Sequence, residues 1–209
     1  MSTLVATLAT PALTTWGYTM SWGEAAGFAT GLWCVVLAAR KDILNFPVGI
    51  LNSALLLVTF VDARLFADAT LQVLFITLGV QGWWQWYRGG TPEEAAIRSV
   101  GPRGSAIAVA AAVALSAALV PVLTWARGSV PVFDATITGL SVVAQVLLNG
   151  RKVESWYLWV AVDLLSVPVY AYKGLYLIAL LYVVFLGIAC RGAWDWRKAA
   201  IARVAEVPA

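Results

Sequence analysis

Seven apolar stretches, each bounded by charged or turn-forming residues, dominate this sequence of 209 residues. Each is about 16 to 20 residues long, which suits helices that cross a bilayer with some tilt or local thinning. We expect helices over residues 23–39, 43–61, 69–87, 106–125, 135–149, 153–172 and 175–190. Charged residues make up only 12% of the chain and hydrophobic residues 61%. Most of the side-chain surface must therefore face lipid, because a soluble fold could not bury so much of it.

The basic residues are divided very unevenly between the two sides of these helices. Three of the 14 Lys and Arg, namely Arg64, Arg127 and Lys173, fall on one side, and the other eleven fall on the opposite side. Because basic loops stay in the cytoplasm, we expect the N-terminus outside the cell and the C-terminus in the cytoplasm. The same distribution accounts for the net charge of +3 without nucleic acid as a partner.

Several kinds of chemistry are excluded by the residue types. The chain has no histidine, which removes His-based hydrolases, metal sites and proton relays. Cys34 and Cys190 lie in apolar stretches without CxxC spacing, so we interpret both as buried, inert thiols. Catalytic motifs such as GxSxG with a His partner, HExxH or a Gly-rich phosphate loop are absent. We therefore predict neither an enzyme nor a bound cofactor or metal.

Landmarks of the first half of the sequence recur in the second half at a nearly constant spacing. The basic pair Arg40-Lys41 precedes the second expected helix, and Arg151-Lys152 precedes the sixth. The sequence GWWQW closes the third helix, and GAWDW closes the seventh. Four helices separate equivalent helices, so both units have the same orientation. The pattern predicts an all-α membrane protein in which two parallel three-helix repeats are joined by a linker helix, although chance similarity of apolar helices is the alternative.

This 3+1+3 plan divides the chain into five segments. They are an extracytoplasmic leader at 1–21, a first repeat at 22–90, a loop with the linker helix at 91–130, a second repeat at 131–196, and a cytoplasmic tail at 197–209. Parallel repeats of this kind are a transporter architecture, with the substrate site between the two halves.

The sixth helix carries the most informative polar stripe. Its spacing places five side chains on one face, namely Trp156, Trp159, Asp163, Ser166 and Tyr170. A carboxylate in the middle of a membrane helix is costly unless it faces a wet cavity or a partner. Asp163 therefore either lines a cavity or forms a structural hydrogen bond with a neighbouring helix.

The second helix carries a matching stripe. When the basic pairs are superposed, with Arg40 on Arg151, Asn45 aligns with Trp156 and Asn52 with Asp163. Two polar stripes inside lipid indicate water or a ligand between them. Asn52 could instead serve only as a hydrogen-bonding link between helices.

The third and seventh helices repeat this pattern more weakly. When GWWQW is superposed on GAWDW, Gln72 aligns with Tyr182. Gln81 lies nine residues after Gln72 and so on the opposite face of its helix, unless a kink brings both to one cavity. The candidate substrate-binding residues are Trp156, Trp159, Asp163, Asn52, Gln72, Tyr182, Asn45 and Gln81.

A family resemblance rests on both repeats. The stretch Arg40–Gly89, with NFPVGILN, ARLFADATLQVLF and GWWQW, resembles the PnuC-type nicotinamide riboside transporters. So does Arg151–Trp196, with RKVESWYLWVAVDLLSV and YKGLYLIALLY, and the segment SWGEAAG is similar to the family's first helix.

This resemblance implies a seven-helix fold similar in plan to the SWEET sugar transporters, a homotrimer, and a place in the inner membrane of a bacterium. It also implies facilitated diffusion, with a cytoplasmic kinase that phosphorylates the vitamin so that it stays inside for NAD biosynthesis. The family's binding residues lie on a WxxW motif and on polar positions of the neighbouring helices. Their counterparts here are Trp156, Trp159, Asn52, Gln72, Asp163 and Tyr182.

Three departures from the family pattern concern the substrate. Many members carry Asn where Ser155 stands, Asp163 occupies a position that is often Asn, and Gln81 one that is often Tyr. Relatives whose third and seventh helices end in similar Trp-rich sequences transport riboflavin or thiamine. A carboxylate at Asp163 favours a cationic ring, as in nicotinamide riboside or thiamine, over neutral riboflavin. A membrane scaffold that transports nothing is the alternative from another class.

Overall fold

Seven helices and one short hairpin make up the computed structural model, which describes residues 10–15, 18–62, 66–89, 96–126 and 130–206. The antiparallel hairpin is formed by β1 (Pro11–Thr15) and β2 (Tyr18–Ser21). The helices are α1 (Trp22–Ala39), α2 (Asn45–Asp62), α3 (Phe66–Arg88), α4 (Gly101–Trp125), α5 (Pro131–Asn149), α6 (Glu154–Tyr172) and α7 (Tyr176–Glu206). Arg64 and Arg127, which the topology prediction used, lie outside the described residues.

Three of the described helical stretches are long and apolar enough to cross a membrane, namely α4, α5 and Tyr176–Ala202 of α7. Two shorter apolar stretches lie in α1 and α2, at Ala25–Ala39 and Asn45–Val61. The outer surface of α4 exposes apolar side chains, with Ile107 70% and Val113 63% exposed. Such surfaces suit lipid, in which only structures that satisfy their own backbone hydrogen bonds are stable.

The last helix is the main departure from the expected boundaries. It continues to Glu206, although the sequence prediction ended it at Cys190 and placed a separate tail after residue 196. Beyond Cys190, an ion pair of 2.8 Å joins Arg191 to Asp195 one turn later, and the fully buried Trp196 packs into the protein interior. Helix length is therefore set here by packing and not by the thickness of the bilayer.

The two cysteines differ in their surroundings. Cys34 is partly buried, and its Sγ lies 3.2 Å from the backbone oxygen of Asn45. Cys190 is exposed. The expectation that both thiols are buried is thus wrong for Cys190, because in a lipid-facing helix an apolar neighbourhood does not imply a position in the core.

The helices pack as two groups of three. α2 packs against both α1 and α3, and α6 packs against both α5 and α7. The first triplet (α1–α3) meets the second triplet (α5–α7) along two seams, α1 with α7 and α3 with α5. α4 packs mainly against α5.

The turns that join the first two helices of each triplet have the same backbone geometry. Lys41 and Arg151 both adopt a positive φ, of 63° and 53°. Their backbone N–H groups donate to the carbonyls of Ala38 and Leu148, each three positions earlier in the chain. We call the end of the bundle that carries these two turns the basic end, because it holds Arg40, Lys41, Arg88, Arg151 and Lys152.

The matched turns align Lys41 with Arg151, one residue away from the expected alignment of Arg40 with Arg151. The adjacent basic pairs look alike in sequence, but the left-handed residue that ends each turn fixes the register. We call the alignment that superposes Lys41 on Arg151 the structural register. In this register the counterpart of Asp163 is Ser53 and not Asn52.

Four aromatic side chains close the interior at the basic end. We call them the aromatic cluster: Phe46, Trp86, Trp156 and Trp196, none more than 6% exposed. Phe46 contacts Trp86 edge-on at 5.1 Å between ring centroids, and Trp156 contacts Trp196 edge-on at 5.7 Å. The two pairs are equivalent in the structural register, so the expected match of Trp156 with Asn45 is replaced by a match with Phe46.

Hydrogen bonds from the cluster cross between the triplets. The Trp86 Nε1–H donates to the backbone oxygen of Asn149 at 3.0 Å, and the Trp196 Nε1–H donates to that of Ala39 at 3.2 Å. Each bond satisfies a carbonyl at the end of a helix, where no partner exists within the helix itself. These two indole bonds thus join the triplets by the same contact in each direction.

The segment before α4 is fastened to the turn between α5 and α6. Arg98 exchanges backbone hydrogen bonds with Arg151 and Val153, both at 3.1 Å. The Glu154 carboxylate accepts from the Ser99 hydroxyl and from the Val100 N–H. Ile97 is buried and packs into the same core as the aromatic cluster. We call residues 97–100 the strap.

We expect Trp196→Ala to destabilise the protein by about 3–5 kcal/mol, because it empties a fully buried site and removes an indole donor. Trp194→Ala provides the matched control. That side chain lies on the same helix but is 57% exposed, so its loss should cost about 1 kcal/mol or less. Thermal unfolding of detergent-purified variants measures the difference. Equal midpoints for the two variants would contradict the role of the aromatic cluster.

Candidate ligand-binding cavity

A cavity of about 300 Å³ lies between the two triplets, and all six of their helices line it. It borders Phe46 and Trp156 of the aromatic cluster and extends toward the middle of the helices, to Asn52 on α2 and Tyr182 on α7. Most of the lining is apolar, with a few amide, hydroxyl and carboxylate groups among it. Small-molecule sites have this composition, in which polar groups fix the orientation of a ligand held by apolar contacts.

Seven of the eight residues predicted from the sequence line this one cavity, namely Trp156, Trp159, Asp163, Asn52, Gln72, Tyr182 and Asn45. Gln81 does not join them. It is exposed, whereas Gln72 on the same helix is 9% exposed and lines the cavity. The spacing between them corresponds to about two and a half turns of a straight helix, so Gln81 projects from the opposite face of α3.

Asp163 brings a carboxyl group to the wall of the cavity. It lies in the middle of α6 and is 4% exposed. Within the described residues no Lys or Arg forms an ion pair with it, since the two ion pairs there join Lys173 to Asp134 and Arg191 to Asp195. A cation bound beside this group would favour its negatively charged form. The site can thus hold a ligand with a positive charge.

Trp156 and Trp159 place two indoles on the same wall. Trp156 is 2% exposed, and its Nε1–H has no hydrogen-bond partner among the described residues. An unmade hydrogen bond at a buried donor costs about 1–3 kcal/mol, so a ligand that accepts this bond gains affinity. Trp159 is half-buried and lies one turn further along α6.

Asn52 is held by the first helix. Its Nδ2 donates to the Gly27 backbone oxygen at 2.6 Å and to the Thr30 hydroxyl at 2.9 Å. Both amide hydrogens are therefore used for the link between α1 and α2, the structural role that the sequence left open. Only the Asn52 carbonyl oxygen is left to accept a bond from a ligand.

Asn45 also makes a structural bond, because its Nδ2 donates to the Asp42 backbone oxygen at 2.6 Å. This bond stabilises the start of α2, next to the aromatic cluster. Asn45 is 2% exposed and borders the cavity near the basic end. Its position fits a support for the wall better than a principal ligand contact.

Tyr182 forms an aromatic wall toward the end of the bundle opposite the basic end. Its ring stacks on Tyr170 with 5.1 Å between centroids and 14° between planes, and it meets Phe185 edge-on at 5.7 Å. Tyr182 and Phe185 line the cavity, whereas Tyr170 supports Tyr182 from behind. The cavity is thus bounded by aromatic rings at both ends.

Three polar lining residues were not predicted from the sequence: Ser53, Ser141 and Gln145. Ser53 would have followed from the structural register, which aligns it with Asp163. Ser141 and Gln145 lie one turn apart on one face of α5, and Gln145 Nε2 donates to the Asn149 side chain at 2.9 Å. Their polar spacing was a usable signal on a helix that otherwise resembles a plain apolar span.

Comparisons with known proteins agree with this architecture. A family model described as nicotinamide mononucleotide transporter matches residues 21–198. The nicotinamide riboside transporter PnuC of Escherichia coli is 30% identical over 211 residues, which cover 88% of each chain. The riboflavin/roseoflavin transporter RibM of Streptomyces davaonensis is 31% identical over 186 residues, which cover 84% of each.

A solved structure supports the fold. The crystal structure of the vitamin B3 transporter PnuC matches with a TM-score of 0.71 at 24% identity, over 87% of this chain and 83% of that one. The expected resemblance to the PnuC proteins is thus confirmed, as is the expectation of a transporter and not an enzyme. The chain belongs to the nicotinamide mononucleotide transporter family and is a multi-pass membrane transporter.

Proposed function

We propose that the protein carries nicotinamide riboside across the membrane by facilitated diffusion, through the cavity between its two triplets. The observation that carries this proposal is the buried carboxylate of Asp163 on the same wall as Trp156 and Trp159. The E. coli relative is named for this substrate. No ion coupling is part of the proposal.

The chemistry of the ligand suits the lining. The pyridinium ring carries a positive charge, and stacking on an indole contributes about 0.5–2 kcal/mol of cation–π attraction. Asp163 offsets the same charge where water is scarce. The ribose hydroxyls and the carboxamide can exchange hydrogen bonds with Gln72, the carbonyl of Asn52 and the unpartnered Trp156 Nε1–H.

The cavity favours the riboside over the mononucleotide for which the family model is named. Among the described residues that line it there is no Lys and no Arg. A phosphate group would therefore enter the cavity without a cationic partner and near the negative charge of Asp163. Such an uncompensated anion in a low-dielectric site is strongly disfavoured.

Riboflavin is the second candidate, favoured by the relative RibM, which is a riboflavin/roseoflavin transporter. Its flat ring system could stack on the same indoles. It is neutral, however, and so gains no attraction from Asp163. Nicotinamide riboside therefore remains the first choice.

We propose further that the triplets are two parallel repeats, joined by α4 in a 3+1+3 plan like that of the SWEET transporters. The matched seams α1–α7 and α3–α5 support this plan, as do the crossed bonds of Trp86 and Trp196. Rocking of one triplet against the other would expose the cavity to each side in turn.

The cellular setting is also a proposal. The basic end would face the cytoplasm of a bacterium and the hairpin the outside of its inner membrane, in keeping with the positive-inside rule. The apolar outer surface of α4 suits either lipid or neighbouring subunits of a homotrimer. A cytoplasmic kinase that phosphorylates the imported riboside would prevent its return, because the cavity does not suit a phosphate.

We expect Asp163→Ala to lower uptake of nicotinamide riboside by about tenfold or more, since losing the charge partner costs more than about 1.4 kcal/mol. Asp163→Asn keeps a polar side chain and should lower it less. Competition by riboflavin tests whether the lost charge is the cause. Because riboflavin is neutral, it should compete better with nicotinamide riboside in both variants than in the wild type. Radiolabelled uptake in a host without its own vitamin transporters is the measurement. Wild-type uptake by Asp163→Ala would exclude this carboxylate from the site.

Two glutamines on α3 provide a matched pair. Gln72→Ala should lower uptake by roughly tenfold, the effect of one lost polar contact. Gln81→Ala should leave uptake unchanged, because that side chain is exposed away from the cavity. Both variants are compared at equal membrane abundance. Equal losses would mean that the cavity is not the transport route.

Ligand-dependent stabilisation distinguishes a transporter from a scaffold. Nicotinamide riboside should raise the unfolding midpoint of the purified protein, because it binds the folded state alone. In competition for radiolabelled uptake, an excess of the mononucleotide should inhibit much less than unlabelled riboside, because of its phosphate, and riboflavin should fall between them. A midpoint that none of the three ligands changes would support the scaffold alternative.

A further inference from the structure

A second cavity, of about 370 Å³ and more open to the surface than the first, lies at the basic end, between the last turn of α3 and the turn that joins α5 to α6. The proposed transport route does not use it. Its charged lining residues are Arg88 of the first triplet and Arg151 of the second. We propose that this cavity binds a phosphate ester, as in the headgroup of an anionic phospholipid.

Both guanidinium groups are positioned by indoles. The Arg88 Cζ lies 4.1 Å from the ring centroid of Trp84, and the Arg151 Cζ lies 4.6 Å from that of Trp86. Arg151 also donates from Nη2 to the Trp86 backbone oxygen at 3.3 Å. Arginine combines contact with an aromatic ring and forked hydrogen bonding to phosphate. Two arginines held in place beside one cavity lose less side-chain entropy when an anion binds.

The charge of the site is one-sided. Its described lining residues include two cations and no carboxylate, and Gln85 adds a neutral amide. Within the described chain no ion pair joins a carboxylate to Arg88. This is the reverse of the transport cavity, whose described lining holds Asp163 and lacks cationic residues. The two cavities therefore select ligands of opposite charge.

Neighbouring aromatic side chains place the site at the depth of lipid headgroups. Trp83, Trp84 and Tyr87 stand on the last turns of α3 and are 42%, 55% and 76% exposed. Exposed Trp and Tyr rings collect at the boundary between hydrocarbon and water. Basic pockets between helices at this level are a recognised form of headgroup site. A soluble phosphate could reach the same arginines from the aqueous side, so the test must separate the two sources.

The second triplet contains a counterpart of the Arg88–Trp84 pair, but an acidic residue lies beside it. Lys198 Nζ lies 4.7 Å from the centroid of the Trp194 ring, and this pair corresponds to Arg88 and Trp84 in the structural register. In place of the neutral glutamine, the second triplet has Asp195, whose carboxylate is paired with an arginine one turn earlier. A local negative charge disfavours an anion there. Lys198 is thus a control of equal charge and similar setting.

The test measures binding directly on the detergent-purified full chain, so it does not depend on which molecule is transported. Short-chain phosphatidylglycerol, phosphatidylcholine and inorganic phosphate are titrated separately, and the unfolding midpoint gives an apparent affinity. We expect phosphatidylglycerol to stabilise the protein and phosphatidylcholine not to. Arg88→Gln should weaken the apparent affinity by about fivefold or more, and Lys198→Gln by less than about twofold. Arg88→Lys, which keeps the charge but loses the fork, should fall between wild type and Arg88→Gln.

The outcomes separate the sources of the phosphate. Stabilisation by phosphatidylglycerol alone supports a headgroup site, and equal stabilisation by inorganic phosphate supports a site for soluble phosphates. Equal losses for Arg88→Gln and Lys198→Gln would overturn the proposal, because they would reflect general attraction to a basic surface. Absence of stabilisation by both phosphatidylglycerol and phosphate would also overturn it. Arg88 is exposed, so its variants should unfold at the wild-type temperature without ligand.

Discussion

The indole N–H groups of Trp86 and Trp196 hold the two triplets together at the basic end. Each donates to the last carbonyl of a helix in the opposite triplet, where the helix has no partner of its own. The triplets otherwise meet along the seams α1–α7 and α3–α5, which leaves α2 and α6 facing one another across a gap. The candidate ligand-binding cavity is that gap. The cavity exists because the triplets contact each other mainly through α1, α3, α5 and α7, and not through α2 and α6.

The polar groups of the cavity divide into those that build the wall and those that remain for a ligand. Asn52 and Asn45 use their amide hydrogens within the protein. The Trp156 N–H is buried without such a partner among the described residues, and the buried Asp163 lines the same wall. Since buried polar groups are almost always satisfied, the Trp156 N–H marks a point where a ligand would complete the structure. The proposal of a cationic vitamin precursor follows from the sign of the charge at Asp163.

Much of the fold could be predicted because charged residues limit each apolar stretch. The expected helix ends lie close to the observed ones, except at α7. That helix continues beyond Cys190 because Trp196 is buried and its packing stabilises the additional turns. Seven of eight candidate site residues meet in one cavity because the polar stripes of α2, α3, α6 and α7 were visible in the spacing. The one-residue error in register arose because Lys41 and Arg151 adopt a left-handed conformation that neither residue type predicts. The contribution of α5 was missed because Ser141 and Gln145, one turn apart in an apolar span, form only a short polar stripe.

The attachment of α4 has a consequence for how the molecule can move. α4 packs on α5, and the strap before it is hydrogen-bonded to the turn between α5 and α6. In the proposed rocking of the triplets, three helices would therefore move against four. The larger body presents more surface to the hydrocarbon, so lateral pressure and bilayer thickness act unequally on the two bodies. Membrane composition would then bias the resting conformation of the carrier.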